Sequence, residues 1–443
     1  MKVLLCQSYT GSKEPLVFPI GLAYIASTLG KHDTMCWDPN VSPQNYIAKF
    51  TKLIEEFEPD AVGLSLRNID NPMTPHGSYY SYSVSMMRKL KEIHPSCKLI
   101  VGGAGFSIFA EEIMRLNQEI DLGVFSEGEQ TFPELLDNLE HPERVLGVYV
   151  RKGKNVTFTG RRAHIDFASL PPPSRNIFDV SKYGGEASIG IQTKRGCKFN
   201  CIYCVHRYYM GSHYRMRTPE QVVDEMEAIF HQYDISRFYF ADPVFNFPPT
   251  HGREICREII RRRLDFSWEA SFRPDYLNKN YMLEALNAGC TLFDFSPDGA
   301  TDNSLKILGK NLDVNSIRKS IKWSSEIEGA KVAYEFITDV PLYNNEHIHG
   351  LMCLVPKILC TCREKVRYLS FSKMRIYPNT KLYSIALEEG KLSETTNLLR
   401  SVHYENKSRA RETIIKMLRI ISYPPFVFNK LQKRLTAKRD VSV

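Results

Sequence analysis

The chain has 443 residues, of which 43% are hydrophobic and 24% charged, and this is the composition of a globular protein large enough for two domains. The sequence contains no run of about 18 apolar residues, so we expect no membrane span. The start MKVLLCQSYTG lacks the small-residue cleavage site of a secretory signal, so we expect a cytoplasmic protein. The eleven cysteines of such a chain are expected to be thiols and not a disulfide framework.

Residues 1–144 are predicted to form a doubly wound domain. The apolar runs KVLLCQS, TMCW, AVGLSLR, KLIVGG and DLGVFSEG alternate with helical patterns such as NYIAKFTKLIEEF, which predicts a parallel, flavodoxin-like sheet covered by helices. Ligands bind such sheets at the carboxyl ends of the strands. Three of these ends carry glycine or polar residues, namely Ser65, Arg67 and Asn68, Gly102 and Gly103, and Glu127 and Gly128.

Residues 145–180 are predicted to connect this domain to the next. The segment VLGVYVRKGKNVTFTG has the pattern of a β-hairpin, and Pro171, Pro172 and Pro173 predict a stiff, extended segment after it.

Residues 181–390 alternate strand and helix patterns again. Strands are predicted at ASIGIQTKRG, RFYFAD, FSWEASF, LFDFSPD, KVAYEFITDV and YLSFSKMRIYP. The helix PEQVVDEMEAIFHQY is opened by Thr218 and Pro219, with Gln221 placed to complete a capping box. This alternation predicts a partial (β/α)6 barrel.

Residues 391–443 are predicted to be a basic helical extension, because basic residues outnumber acidic ones from Lys407 onward. A solvated helix that packs on the domain is favoured over contact with a membrane surface or an acidic partner. The sequence has no nucleic-acid-binding motif, so we expect no nucleic-acid partner.

The segment GCKFNCIYC places Cys197, Cys201 and Cys204 on the loop after the first strand of the predicted barrel. Thiolates ligate iron–sulfur clusters or zinc. A structural zinc ion takes four protein ligands, whereas three thiolates on a 4Fe–4S cluster leave one iron open for a further ligand. No fourth cysteine lies at a matching spacing, and His206 follows Cys204 too closely to serve as one. The triplet therefore favours a 4Fe–4S cluster over zinc.

This segment resembles the signature of the radical S-adenosylmethionine (SAM) superfamily. The resemblance implies that the three cysteines hold the cluster, that Tyr203 contacts the adenine of SAM, and that reductive cleavage of SAM yields a 5′-deoxyadenosyl radical. It also implies that polar groups at the strand ends hold the rest of SAM. The candidates are Asp242, Glu269, Arg273, Ser296, Asp298 and the backbone near Val340. A clear Gly-Gly-Glu after the second barrel strand is absent, so a structural role stays open for Asp242 and for the others.

The order of the two domains resembles the cobalamin-binding class of the same superfamily, through the segments FPIGLAYIAS, GLSLRNID, VGGAGFS and FSEGE. The resemblance implies that cobalamin binds where Gly102 and Gly103 permit close approach of the backbone. The D-x-H-x-x-G motif, whose His ligates cobalt in other cobalamin proteins, is absent. Arg67 or Asn68 would then lie beneath the corrin, although a surface ion pair is an equal alternative for Arg67.

Together these resemblances imply an enzyme that uses a 4Fe–4S cluster, SAM and cobalamin to transfer a methyl group to an unactivated carbon, or to phosphorus, of a small-molecule substrate. They also imply an electron donor such as a flavodoxin or a ferredoxin. A radical rearrangement, cyclisation or methylthiolation stays open, as does a non-catalytic zinc- or cluster-binding protein. Methylthiolation is disfavoured because no second cysteine triplet occurs near the N-terminus.

Overall fold

The computed structural model describes residues 1–11, 14–71, 78–183, 189–342 and 345–422. These residues divide into two compact units. The first comprises the described parts of Met1–Lys198, Tyr203–Arg237 and Arg375–His403, and the second those of Phe199–Ile202, Phe238–Met374 and the chain from Tyr404 onward. The domain boundaries drawn from the sequence, after residues 144, 180 and 390, stay predictions.

The first unit is built on a seven-stranded sheet. Its strands are β1 (Lys2–Gln7), β2 (Asp33–Trp37), β3 (Ala61–Ser65), β4 (Lys98–Gly102), β5 (Leu122–Val124), β6 (Val148–Lys152) and β7 (Asn155–Phe158). Their spatial order is β2-β1-β3-β4-β5-β6-β7, with β1 to β5 parallel and the last two antiparallel. The order of the parallel strands confirms the predicted flavodoxin-like fold. The β6–β7 hairpin, which the sequence places in the connector, extends this sheet beyond β5.

Helices lie between these strands. They are α1 (Ile20–Ser27), α2 (Tyr46–Phe57), α3 (Tyr80–Ile93), α4 (Ala104–Ile108), α5 (Ala110–Leu116) and α6 (Gly128–Asp137). Helix α2 buries Phe50 and Ile54 in the core, as its spacing predicts. The segment SIFAEEIMRLN contains parts of two helices and not one, because Phe109 leaves the helical conformation, with φ −123° and ψ 25°. Helix α6 begins directly after the loop that follows β5.

The rest of the first unit carries the start of the barrel segment. Its elements are β8 (Ile189–Ile191), β9 (Lys194–Arg195), α7 (His206–Met210), β10 (Arg215–Met216) and α8 (Pro219–Tyr233). Strands β9 and β10 pair antiparallel. Helix α8 begins with the predicted capping box, in which the Thr218 hydroxyl accepts from the Gln221 N–H and the Gln221 side chain accepts from the Thr218 N–H.

The second unit contains most of a six-stranded sheet. In chain order its elements are β11 (Arg237–Phe240), α9 (Pro249–Arg261), β12 (Ser267–Phe272), α10 (Lys279–Asn287), β13 (Cys290–Asp298), α11 (Asp302–Ile307), α12 (Val314–Glu326), β14 (Val332–Ile337), α13 (Asn345–Cys362) and β15 (Val366–Ser372). Strands β12 to β15 are parallel neighbours in sequence order. This open, alternating arrangement agrees with the predicted partial barrel.

Two further helices complete the described chain. Helix α14 (Lys381–Glu388) belongs to the first unit, and α15 (Arg409–Ile421) belongs to the second. Within the predicted basic helical extension, α15 is helical, but residues 391–408 form turns and an isolated bridge instead of a helix. The part after residue 422 lies outside the described residues. Short 3-10 turns occur at Pro142–Arg144, Phe167–Ser169, Arg175–Ile177, Val180–Lys182, Pro274–Tyr276 and Arg363–Lys365. None of the described helices is both long enough and apolar enough to cross a membrane.

Candidate cofactor sites

A cavity of about 180 Å³ opens at the carboxyl edge of the first sheet, within the first unit. Its floor is apolar and includes Leu5, Ile25, Ile100 and Phe132. Five residues predicted from the sequence line it, which are Ser65, Gly102, Gly103, Glu127 and Gly128. The structure therefore brings together three strand ends that are far apart in the chain, because the carboxyl ends of parallel strands share one edge of the sheet.

The rim of this cavity is held by buried charges. Arg195 is 6% exposed and donates to Glu129 at 2.6 Å and to Glu127 at 3.2 Å. Glu127 also accepts from Arg215 at 2.6 and 2.7 Å and from the Ile165 N–H at 3.0 Å. Burial alone would raise the pKa of Glu127, but His164, Arg195 and Arg215 together lower it to about 2. Glu127 therefore stays ionised and fixes the rim.

Four lining residues from a later stretch of the chain were not predicted from the sequence, namely Gln192, Arg195, Tyr209 and Met210. They lie far along the chain from the glycines of the sheet. Ser126, with a positive φ of 69°, donates its hydroxyl hydrogen to the Tyr209 carbonyl oxygen and brings that segment to the rim. The positive φ of Ser126 is a structural feature of this contact, and the sequence does not show it.

Arg67 and Asn68 follow β3 but are not among the residues that line the cavity. Asn68 is exposed. The Nε of Arg67 is buried and has no hydrogen-bond partner among the described residues. Burial lowers the pKa of Arg67, and the negative charges of Asp38 and Glu14 oppose that shift. The role predicted for these two residues beneath a corrin stays a prediction.

The cysteine loop begins at a position that requires glycine. Gly196 has a φ of +91°, and a Cβ there would collide with the His213 carbonyl oxygen. The N–H of Cys197 donates to the Gly211 carbonyl at 3.0 Å. Cys197 is buried, and Cys201 and Cys204 are partly buried. Tyr203 is partly buried beside Cys204.

None of the three cysteines takes part in a disulfide. Among the described residues, no group of three or more His, Cys, Asp or Glu side chains is arranged to hold a metal ion. Ligation of a cluster by Cys197, Cys201 and Cys204 therefore stays a prediction.

In the second unit, Arg273 is committed to protein contacts. It is 4% exposed, and its guanidinium donates two hydrogen bonds to Asp275, at 3.0 and 2.8 Å. Its backbone N–H donates to the side-chain oxygen of Asn246, and its carbonyl oxygen accepts from the side-chain amide of the same residue. Asp242 is also buried, at 4% exposure. Ser296 donates to Glu335 at 2.8 Å. These contacts give Arg273 and Ser296 defined positions, and their predicted role in binding SAM stays a prediction.

The second sheet has one aromatic face and one polar face. Residues of β12 alternate between buried aromatic or alanine side chains and partly exposed Ser267, Glu269 and Ser271. Asp294, Glu335 and Tyr368 continue the polar face on β13 to β15. Burial and the charge of Glu335 raise the pKa of Asp294 to about 7, although Tyr368 donates a hydrogen bond to it. Glu335 and Tyr368 were not predicted, and a lone carboxylate among aromatic residues in VAYEFI is the signal that marks Glu335.

Two family models match separate stretches of the chain. Residues 9–136 match the B12-binding domain, and residues 191–352 match the radical SAM superfamily. The first stretch contains Ser65, Gly102, Gly103, Glu127 and Gly128, and the second contains the three cysteines. The chain therefore carries a B12-binding domain followed by a radical SAM domain, which is the domain order of the class that its sequence resembles. The predicted family is thereby confirmed.

Relatives of this radical SAM protein match most of its length. An uncharacterized methyltransferase of Pyrococcus horikoshii is 27% identical over 399 residues, which are 87% of this chain and 83% of the relative. The radical SAM methyltransferase TsrM of Kitasatospora setae, solved with cobalamin and a [4Fe-4S] cluster, is 18% identical with a TM-score of 0.77, over 89% of this chain and 81% of that one. The cobalamin-dependent radical SAM enzyme OxsB, solved with aqua-cobalamin and SAM, is 16% identical with a TM-score of 0.72, over 91% and 64%. These likenesses confirm the predicted fold class.

The first-unit cavity of this radical SAM protein fits cobalamin in its chemistry. An apolar floor suits the face of a large flat ring, and the polar rim suits its amide edge. At Gly102 a Cβ would lie 3.5 Å from the nearest atom, the Val124 carbonyl oxygen, so the cavity edge there is open because the residue is glycine. The described lining residues include no histidine, which agrees with the missing D-x-H-x-x-G motif. Three cysteine side chains within eight residues likewise fit a 4Fe–4S cluster in their donor chemistry.

Proposed function

We propose that this chain is a cobalamin-dependent radical SAM methyltransferase that methylates an unactivated carbon, or a phosphorus, of a small molecule. The observation that carries the proposal is the presence of both halves of the machinery in one chain. A B12-binding domain has its cavity at the expected sheet edge, and a radical SAM domain carries the cysteine loop. The methyltransferases among its relatives support transfer of a methyl group over a rearrangement or a cyclisation.

The cofactors supply the reactive chemistry when they are bound. The cluster and SAM supply a 5′-deoxyadenosyl radical that takes a hydrogen atom from the substrate, and cobalamin supplies the methyl group. A second SAM would replenish the methyl group, and a flavodoxin or ferredoxin would deliver the two electrons that each turnover needs, one for the cluster and one for cobalamin.

The residues of the chain have binding and positioning roles in this proposal. Cys197, Cys201 and Cys204 would hold the cluster, and Tyr203 would lie next to the adenine of SAM. Ser65, Gly102 and Gly128 would contact cobalamin from the sheet edge. Glu127 and Arg195 would keep the rim of that cavity in place through their ion pairs.

The proposal is tested without knowledge of the substrate. The protein is reconstituted anaerobically with iron, sulfide and hydroxocobalamin and reduced with dithionite in the presence of SAM that carries a deuterated methyl group. We expect formation of S-adenosylhomocysteine, of trideuteromethyl-cobalamin and of 5′-deoxyadenosine, measured by mass spectrometry. Cys201→Ala should abolish 5′-deoxyadenosine, whereas Cys360→Ala, an exposed cysteine of α13, should form it at the wild-type rate.

Each outcome separates the alternatives. Formation of 5′-deoxyadenosine without methylation of cobalamin would favour a rearrangement or a cyclisation. Zinc in place of iron, with no brown chromophore, would favour a non-catalytic protein. Wild-type formation of 5′-deoxyadenosine by Cys201→Ala would show that the assigned ligand is wrong.

A further inference from the structure

The second unit holds the middle of the cysteine loop, Phe199–Ile202, against the turn that follows α11. The N–H of Ile202 donates to the Leu308 carbonyl at 3.0 Å. Gly309 has a φ of +68°, and a Cβ there would lie 2.6 Å from the Asn200 carbonyl oxygen and 3.6 Å from the Cα of Cys201. The backbone of this turn therefore approaches Cys201 at a distance that only glycine permits.

Arg273 joins the loop and the turn. Its guanidinium lies 3.9 Å from the centre of the Phe199 ring, close enough for a cation–π interaction. The same group donates to the carbonyl oxygens of Lys310 at 2.7 Å and Asn311 at 3.2 Å. The carboxylate of Asp275 fixes the guanidinium from a third side. Arg273 thus connects the cysteine loop to the turn through contacts with both.

This connection places a buried cation next to Cys201. Lys310 follows Gly309 directly and is 6% exposed, and its ammonium lies 2.7 Å from a carboxylate oxygen of Asp298. Burial disfavours the charged form of Lys310, but the ion pair with Asp298 outweighs burial, so the pKa of Lys310 lies above the ordinary value. Lys310 therefore carries a fixed positive charge at neutral pH. The sequence gives no motif for this pair, because Asp298 and Lys310 are separated by α11.

We propose that Lys310 is a positioning residue for Cys201, and that its charge, balanced by Asp298, raises the reduction potential of the cluster that this cysteine would hold. The inference rests on the proposed function, in which Cys201 is a cluster ligand. Reduction adds one electron to the cluster. A nearby positive charge stabilises the more negative, reduced form, and a nearby negative charge destabilises it, more strongly in a buried site than in water.

The test is a potentiometric titration of the anaerobically reconstituted protein without SAM. Dithionite supplies one electron per cluster, and electron paramagnetic resonance follows the reduced form. Lys310→Met should lower the midpoint potential, Asp298→Asn should raise it, and the double variant should return toward the wild-type value. Lys306→Met removes an exposed lysine of α11 and should leave both the midpoint and the iron content unchanged.

Midpoint shifts of opposite sign in the two single variants would not result from a purely structural role of these residues. Midpoints that stay at the wild-type value, or that move in the same direction in both single variants, would overturn the inference while leaving the proposed function intact. If Lys310→Met fails to hold iron, retention of iron by Lys310→Arg supports the role of the charge, and loss in both variants overturns it. A wild-type protein that takes up no cluster would overturn the proposed function itself, and this inference with it.

Discussion

At the scale of single residues, two buried carboxylates have opposite pKa shifts because their neighbours differ. Glu127 receives hydrogen bonds from Arg215 and is paired with Arg195, and its pKa falls to about 2. Asp294 faces Glu335 and receives one hydrogen bond, from Tyr368, and its pKa rises to about 7. Burial raises the pKa in both cases, so the charges around each group decide the direction.

Asp294→Asn should stabilise the protein in a pH-dependent way. The folded pKa of about 7 lies above the ordinary value of 3.8. The unfolded chain therefore ionises this group first, and the wild type loses stability as the pH rises toward 7, by at most about 1.4 kcal/mol per pH unit. Asparagine removes this loss and keeps an acceptor for Tyr368. Urea unfolding at pH 5, 6, 7 and 8 should show a gain that grows up to pH 7 and then levels off. A gain of equal size at every pH would contradict the assigned pKa.

Local sequence patterns predict some residues of the candidate sites and miss others. Gly102, Gly103 and Gly128 were predicted because glycine at the end of a strand is a local pattern that a parallel sheet gathers at one edge. Arg195 and Tyr209 reach the same cavity from a distant stretch of the chain, and Lys310 reaches Cys201 through a turn after α11. Their places depend on tertiary packing, which no local spacing encodes.

At the scale of elements, the sequence predicts the presence of regularly patterned strands and helices better than it predicts where each one begins and ends. Strand β12 lies within FSWEASF and alternates in burial, and β14 lies within KVAYEFITDV and is buried along almost its whole length; both are local patterns of strands. The break at Phe109 and the start of α6 at Gly128 were missed, because both depend on how the chain leaves β4 and β5 and not on hydrophobic spacing. The β6–β7 hairpin was predicted, but its pairing with β5 is a tertiary contact.

The capping box of α8 was predicted residue by residue, and its contribution can be measured. Thr218→Ala removes the side-chain acceptor for the Gln221 N–H, which lies 3.2 Å from the hydroxyl oxygen. Loss of such a cap should lower the free energy of unfolding by about 1 kcal/mol. Thr218→Ser keeps the hydroxyl and is the matched control. Urea midpoints that are equal for the alanine and serine variants would show that the box contributes nothing to stability.

At the scale of the whole molecule, the B12-binding and radical SAM matches occupy separate stretches of the sequence, residues 9–136 and 191–352. The cavity edge at Gly102 is built by β4 and β5 of the first unit. The contacts of Leu308, Gly309 and Arg273 with Phe199–Ile202 are built by the second unit alone. A substitution at the first place should therefore leave the contacts at the second unchanged.

Gly102→Val tests this independence. A Cβ at residue 102 meets only ordinary contacts, at 3.5 Å or more, and valine is favoured in strands, so the fold should persist. The added methyl groups would occupy the cavity edge, and we expect at least about a tenfold loss in affinity for hydroxocobalamin, about 1.4 kcal/mol, measured by absorbance titration. Gly30→Val, in an exposed turn with open space around its Cβ, should bind as the wild type does.

The same Gly102→Val protein should keep the wild-type iron content and should still form 5′-deoxyadenosine from SAM after reduction, because no residue around Cys201 has changed. Retained iron chemistry together with lost cobalamin binding would locate the cobalamin site at the edge of the first sheet. Undiminished cobalamin binding would place that site elsewhere. Loss of both iron and cobalamin, with an unchanged circular dichroism spectrum, would mean that the two sites depend on each other.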